Sequence, residues 1–222
     1  RDRVNVIGTF NEWNEESHPM QKLGEGGIWG LFIPGVEEGT MYKFLIYARD
    51  GRKLYKADPF ANYAEYRPGT ASIVTDITGF DWRDSKWMEA RDKKDMNKEP
   101  MAIYECHIGM AQQEDKVGTY NEFREKTLPR IAKAGYNCIQ IMAIQEHPYY
   151  GSFGYHVSSF FAASSRFGTP EELKELIDTA HGLGIAVIMD IVHSHAVKNE
   201  VEGLGNFAGD PNQYFYPGAR RE

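Results

Sequence analysis

The chain has 222 residues, of which 41% are hydrophobic, 26% are charged and 13% are aromatic. This composition excludes an intrinsically disordered chain, a collagen-like repeat and a small disulfide-rich fold. Acidic residues outnumber basic ones by 32 to 25, and the net charge of -7 argues against nucleic acid and anionic membrane surfaces as partners. No stretch approaches the roughly 18 apolar residues of a membrane span.

Residues 1–80 predict a β-sandwich of the immunoglobulin-like kind. The strand patterns lie around Val4, at 28–33, at 41–48 and near Leu54. Asp50-Gly51 separates the last two patterns and is a tight-turn signal. Short strands at this spacing, interrupted by glycine and proline, are typical of a small sandwich. Residues 81–100 then mix acidic and basic side chains and end at Pro100, and we interpret them as a solvated linker between two domains.

Residues 101–222 predict strands that alternate with helices. The strand patterns lie at 101–108, 138–144 and 185–192, and the helix patterns lie at 121–134 and from Pro170 onward. Thr169 and Glu172 form a capping box at the start of the second helix, whereas Pro129 weakens or kinks the first. The β-α-β-α-β order predicts parallel strands with helical crossovers, and the second and third strands are apolar enough to be buried.

Two cysteines occur, Cys106 and Cys138, and each lies in an apolar run. This placement predicts buried free thiols in a reducing compartment, which favours a cytoplasmic protein, rather than a disulfide.

Polar residues collect where the predicted parallel strands end. His107 follows the first strand, Asp190, His193 and His195 end the third, and the connection 145–168 shows no helical or strand period. Long connections of this kind are commonly functional, and sites in α/β folds lie at the carboxyl ends of strands. We therefore place the candidate site at this rim.

Three interpretations of the rim are open from the residues alone. Asp190, His193 and His195 could bind a metal ion, but alternate residues of a strand point to opposite faces, and we expect no metal site and no cofactor. The same groups could simply be hydrogen-bonded polar residues at a strand end. The third interpretation, which we favour, is a wall for a sugar, whose apolar ring faces would pack on aromatic side chains. The aromatic candidates are Tyr149, Tyr150, Phe153 and Tyr155.

At these residues the sequence resembles glycoside hydrolase family 13, the α-amylase family, and within it the 1,4-α-glucan branching enzymes. The similar segments are DIVHSH at 190–195, SFGY at 152–155, residues 135–144 and 158–173, and KADPF at 56–60 with the stretch 67–71. The amino-terminal residues, with FNEW at 10–13 and YKF at 42–44, resemble carbohydrate-binding module family 48.

The resemblance implies a carbohydrate-binding module at 1–80, a linker at 81–100 and the first three βα units of an incomplete (β/α)8 (TIM) barrel at 101–222. It implies that Tyr155 stacks on the sugar at the cleavage point, that His195 hydrogen-bonds a hydroxyl of that sugar, and that Asp190 orders the base of the site. In the β domain, Trp13 and Lys43 match glucan-contacting positions. The implied partner is an α-1,4-glucan such as glycogen or starch.

The resemblance also implies a retaining double displacement whose nucleophile and acid/base follow later barrel strands than the three found here. We therefore expect those carboxylates beyond Glu222 and the first strand of the β domain before Arg1, so that the chain is an inactive fragment of an enzyme that is a monomer at full length. Two alternatives are a fragment of a debranching or trehalose-releasing relative and a non-catalytic glucan-binding protein.

Overall fold

The computed structural model describes residues 3–95 and 98–218. The strands of this part are β1 (Arg3–Gly8), β2 (Gln21–Leu23), β3 (Ile28–Gly30), β4 (Met41–Tyr47), β5 (Lys53–Lys56), β6 (Ser72–Ile73), β7 (Ile103–Cys106), β8 (Cys138–Ile141), β9 (Gln145–Glu146), β10 (Ser159–Ala163) and β11 (Ala186–Met189). The helices are α1 (Ser85–Asp92), α2 (Tyr120–Glu122), α3 (Leu128–Lys133) and α4 (Pro170–Gly182). No helix among the described residues has the length and hydrophobicity needed to cross a membrane.

The amino-terminal domain is the predicted β-sandwich. Strand β4 pairs antiparallel with β1, β5 and β6, while β2 and β3 form a separate hairpin. Val4, Ile46 and Leu54 form a buried cluster on one face of the larger sheet, and Trp29 of β3 packs against it. The cluster forms because the alternating residues of β1, β4 and β5 turn to the same face.

Two strands of this domain were not predicted, and one is shorter than expected. Strand β3 ends at Gly30 rather than at residue 33, and β2 and β6 carry no clear apolar alternation. All three residues of β2 are exposed and β6 has only two residues, so neither has the half-buried pattern by which a strand is recognised in a sequence.

The segment interpreted as a linker contains α1 and packs against α4. The Arg83 guanidinium makes ion pairs with Asp178 at 2.7 Å and Glu175 at 2.6 Å. The Trp87 ring lies parallel to that of His181, with centroids 3.7 Å apart. Arg83 of this charged stretch therefore pairs with residues about 95 positions further along the chain. The sequence around Arg83 gives no sign of such distant partners.

The predicted β-α-β-α-β order is confirmed. Strands β7, β8 and β11 form a parallel sheet with β8 in the centre. The helices cover one face, where Ile139 and Ile141 pack with Leu128 and Leu176. The expectation that the third strand is buried was wrong for its second half, because β11 lies at the edge of the sheet and Ile188 and Met189 are 37% and 47% exposed.

Pro129 changes the helix that precedes β8. Between α2 and α3 the chain makes one π-helical turn at Phe123–Thr127, and the Leu128 amide donates to the carbonyl of Phe123. Proline has no N–H group and clashes with the preceding turn of a regular helix. The predicted kink is thus a local change of helical pitch.

Two further expectations have clear outcomes. Thr169 Oγ1 accepts from the Glu172 amide at 3.2 Å, and Glu172 Oε2 accepts from the Thr169 amide at 2.9 Å, which confirms the capping box. Cys106 and Cys138 are buried and unpaired, as predicted.

The connection 145–168 is more regular than expected. It contains β9 and β10, which pair antiparallel with an irregular register between Ser159 and Ala163, and a short 3-10 turn at Tyr150–Ser152. A segment without a strand period in its sequence therefore contains two strands. Because β9 has only two residues and twelve residues separate it from its partner β10, the pairing leaves little periodicity in the sequence.

Candidate functional site

Tyr155, Asp190 and His195 lie together at the carboxyl ends of the parallel strands. The Tyr155 hydroxyl donates to Asp190 Oδ2 at 2.8 Å. His195 Nε2 lies 2.7 Å from the Tyr155 carbonyl oxygen, and because a carbonyl can only accept, this nitrogen carries the proton. Three of the residues that the sequence assigned to the sugar wall thus form one hydrogen-bonded group.

The hydrogen bond to Asp190 has an electrostatic consequence for the tyrosine. It is the largest cause that raises the pKa of Tyr155 to about 12, followed by partial burial and the charges of Asp190 and Glu105. The hydroxyl therefore stays protonated at neutral pH and holds the carboxylate in place, while the residue as a whole is half-buried.

Both ring nitrogens of His195 have partners. Nδ1 lies 2.9 Å from the Ser194 hydroxyl oxygen, within hydrogen-bond distance. A sugar hydroxyl that bonds His195 would therefore replace Ser194 at Nδ1 or the Tyr155 carbonyl at Nε2. Ser194 is a member of the site that sequence reasoning did not single out, although it lies inside the DIVHSH segment.

The strand ends fix the backbone around this group. The Asp190 amide donates to the carbonyl of Ile141 at 3.1 Å, which continues the ladder between β8 and β11. Gln145 accepts from the Val192 amide at 3.2 Å and donates to the carbonyl of Phe160 at 2.9 Å. Gln145 was missed as a site residue, and its only sequence signal is a polar side chain directly after an apolar run.

Gly154 sets the path of the loop that carries Tyr155. Its φ angle is +93°, and a Cβ atom at this position would lie 1.7 Å from the carbonyl oxygen of Ala143. Glycine is required here for both its conformation and its lack of a side chain. The close approach brings Tyr155 over the end of β8.

The four aromatic candidates of the loop differ in exposure. Tyr149 is 64% exposed and Phe153 40% exposed, whereas Tyr150 packs edge-on against His107 and under the guanidinium of Arg166. Of the four, Tyr155 alone bonds to the group formed with Asp190 and His195.

His107 lies beneath this loop rather than at the open rim. Its ring is 8% exposed and makes edge contacts with Tyr150, Phe153 and Phe167. Burial lowers the pKa of His107, and it also lowers the pKa of the neighbouring His147. These two histidines are therefore neutral packing residues at physiological pH.

His193, which was weighed with Asp190 and His195 as a metal ligand, is exposed. Across residues 3–95 and 98–218, no group of three or more histidine, cysteine or acidic side chains is arranged to hold a metal ion.

The two candidate residues of the β domain have different surroundings. Trp13 is 38% exposed and follows a short turn in the left-handed conformation, with φ of +59°. Lys43 is half-buried, and its ammonium donates to Thr70 Oγ1 at 2.5 Å. Burial lowers the pKa of Lys43, opposed by the charges of Glu65 and Glu202.

Comparison with protein families assigns most of the chain. Residues 2–61 match carbohydrate-binding module 48, described as the isoamylase N-terminal domain, and residues 85–208 match the alpha amylase catalytic domain. The second match covers more than half of the chain.

Individual relatives agree with these matches. The chain is 49% identical over 211 residues to a 1,4-alpha-glucan branching enzyme of Butyrivibrio fibrisolvens, covering 93% of this chain and 33% of the relative. It is 44% identical over 230 residues to the 1,4-alpha-glucan-branching enzyme of Equus caballus, covering 98% and 31%. A crystal structure described as an alpha amylase of Salmonella typhimurium superposes with a TM-score of 0.71 at 28% identity, covering 89% and 30%.

The chain spans about one third of the length of these curated relatives. Its β-sandwich and its parallel β-α-β-α-β layer occur in the same order as the two family matches, and the resemblance seen in the sequence is confirmed. The chain belongs to the α-amylase family, with a carbohydrate-binding module 48 region ahead of an incomplete catalytic barrel.

Proposed function

We propose that the chain is part of a 1,4-α-glucan branching enzyme, which cleaves an α-1,4-glucan and transfers the released segment to a 6-hydroxyl to form an α-1,6 branch. The observation that carries the proposal is the Tyr155–Asp190–His195 group, which joins an aromatic face to hydrogen-bonding groups at a barrel rim. Similarity to branching enzymes over more than nine tenths of the chain supports it.

In the proposed reaction these residues bind and orient the sugar. The ring of Tyr155 packs on the pyranose at the cleavage point, and Asp190 and His195 present hydrogen-bonding groups at the carboxyl rim. A retaining enzyme of this family uses a carboxylate nucleophile and a carboxylic acid about 5 Å apart. We propose that later strands of the barrel supply both, so that residues 1–222 alone bind glucan without branching it.

The test combines binding with turnover. We expect maltoheptaose to bind the purified chain, Tyr155→Ala to weaken binding about tenfold through loss of the stacking face, and no α-1,6 linkages to form in a branch-linkage assay. Tyr149→Ala, which removes an exposed aromatic side chain of the same loop, is the matched control. Equal effects of the two substitutions would refute the assigned site, and turnover by the chain would refute the proposed division of roles.

Glucan binding by the β domain is a second candidate function, favoured by the exposed ring of Trp13. Affinity electrophoresis through glycogen separates the two sites. If the β domain binds glucan, Trp13→Ala would abolish the retardation of the protein by glycogen. If the barrel rim binds glucan, Tyr155→Ala would abolish that retardation. For Lys43 to contact glucan as proposed, its ammonium must leave Thr70. Thr70→Val removes this hydrogen bond and tests whether it competes with glucan binding.

We also propose that the protein acts as a cytoplasmic monomer. The buried free thiols of Cys106 and Cys138 support a reducing compartment. Light scattering on the full-length protein checks the monomer, and a concentration-dependent mass would refute it.

A further inference from the structure

The chain returns from the rim of the barrel to the β domain through residues 197–209, called here the return segment. It begins two residues after His195, and the Val197 amide donates to the carbonyl of Val157 at 2.9 Å. At its other end Phe207 packs against the buried cluster of the β-sandwich. The segment therefore connects the candidate sugar site with the core of the other domain.

Lys56 of β5 holds the middle of the return segment. Its side chain is 1% exposed, and its ammonium donates to the backbone carbonyls of Gly205 at 2.7 Å and of Glu200. The ring of Phe207 lies 5.9 Å from the same nitrogen. These contacts join positions that are 149 residues apart in the chain.

A second tie lies beside the first. Arg67 donates to Glu202 at 3.2 Å through both terminal nitrogens, and both side chains are largely shielded from solvent. Glu200 and Glu202 also favour the charged form of Lys56, whereas Arg52 opposes it. The return segment is thus held by two cations of the β domain, one on its backbone and one on a side chain.

Burying a lysine ammonium is unfavourable unless it is well solvated by other groups. Desolvation lowers the pKa of Lys56 to about 8, so the ammonium is retained here at a cost that an apolar residue would avoid. Backbone carbonyls are its two acceptors, and they move only if the path of the chain moves. An ammonium held this way fixes a backbone path, which an apolar side chain could not do.

We propose that Lys56 is a positioning residue: by holding the carbonyls of Glu200 and Gly205 it fixes the return segment, so that the β domain sets the geometry of the rim that carries His195. The consequence for sugar binding rests on the proposed function, whereas the effect on the segment does not. On this view the β domain supports the site structurally, whether or not it binds glucan itself.

The first test compares Lys56→Met with Lys53→Met by amide hydrogen exchange. Lys53 lies on the same strand, but its ammonium pairs with Glu15 on the surface. We expect Lys56→Met to speed exchange about tenfold or more in residues 197–209 and to leave β8 unchanged, and Lys53→Met to change neither. Unchanged exchange in the return segment, or an equal increase throughout the chain, would overturn the proposal.

The second test uses the unaltered chain and does not depend on how a variant folds. The amides of Val201 and Asn206 share peptide groups with the two carbonyls that Lys56 binds. We expect their NMR signals to shift with a common midpoint near pH 8, where Lys56 loses its proton. Signals that respond neither near pH 8 nor at any higher pH at which the chain stays folded would contradict the hydrogen bonds on which the proposal rests.

A third measurement separates this proposal from the proposed function. Lys56→Met is expected to weaken maltoheptaose binding severalfold, and Lys53→Met to leave it unchanged. If the unaltered chain does not bind maltoheptaose, the proposed sugar site fails, while the exchange and NMR results still decide the role of Lys56. Normal binding by Lys56→Met with a loosened return segment would refute its positioning of the site.

Discussion

The central strand and the edge strands of the parallel sheet differ in how completely the chain covers them. On the central strand β8, Ile139 and Ile141 are fully buried. On the edge strands, Ile103 of β7 and Ile188 of β11 are 45% and 37% exposed, although both are aliphatic residues of predicted strands. An apolar run therefore predicts a buried strand, but the position of that strand in the sheet and the elements that pack on it decide how much of it is shielded.

The largest expected effect tests this difference directly. Ile141→Ala removes a fully buried side chain among α3, α4 and β8 and is expected to lower the free energy of unfolding by about 2–5 kcal/mol. Ile188→Ala, a matched change on the edge strand β11, is expected to cost less than about 1 kcal/mol, because little buried area is lost. Urea unfolding measures both. Equal losses would contradict the assignment of a covered centre and an open edge.

The contact between α4 and the segment before α1 gives the next effect. Asp178 is 4% exposed and accepts from the backbone amide of Arg83 at 2.8 Å as well as from its guanidinium. Asp178→Ala removes the acceptor of the Arg83 amide and of its Nε, while the guanidinium keeps its ion pair with Glu175, and the change is expected to cost about 1–3 kcal/mol. Asp92→Ala removes a surface partner of Arg91 and serves as the control with little change. If both substitutions prove neutral, residues 81–95 do behave as the solvated linker that the sequence suggested.

The capping box of α4 gives a smaller effect. Thr169→Ala removes the acceptor for the Glu172 amide and is expected to lower the free energy of unfolding by about 1 kcal/mol. Thr169→Ser keeps the hydroxyl and is expected to recover most of the loss. A serine variant as unstable as the alanine variant would show that the methyl group, rather than the cap, contributes the stability.

Acid sensitivity is the smallest effect and has a defined sign. Burial lowers the pKa of His107 and His147 below 6.5 in the folded chain, so below about pH 6.5 the unfolded chain binds more protons. The stability contributed by these neutral histidines is present above that pH and is lost as the pH falls toward their folded pKa values. The urea midpoint of unfolding should therefore decrease as the pH is lowered from about 7.5 to about 5.

His107→Leu identifies the source of that decrease. Leucine keeps an apolar contact with Phe167 and cannot titrate, so the variant should show a shallower loss of stability with acid. An unchanged pH slope would assign the acid sensitivity to other groups.

Some of the fold could be predicted because its signals are local. The capping box at Thr169 and the helix change at Pro129 each follow from residues within one or two helical turns. The parallel order of the later strands follows from the alternation of strand and helix patterns along the chain. Strands β6, β9 and β10 were missed because their pairing partners, rather than their own periodicity, define them. The charged segment before Pro100 was interpreted from its composition, and its partners on α4 are remote in sequence.

The site could be predicted in part for the same reason. Tyr155, Asp190 and His195 were found because they lie in segments that resemble a family, and the structure brings them together. Ser194 and Gln145 were missed because their role is to bond other site groups, which only their positions in space disclose. His107 was placed at the rim by its position after β7, but the loop 149–155 covers it.

The sequence by itself determined the family, the β-sandwich, the alternation of parallel strands and helices, and the segments that carry the candidate site. Hydrophobic period, caps and motifs encode these features over short stretches of chain. Tertiary structure alone decided which strands of the parallel sheet are covered, how His195 is bonded, and that Lys56 reaches the return segment. Those outcomes depend on hydrogen bonds and packing between residues far apart in the chain, whose free energy exists only once the backbone path brings them together.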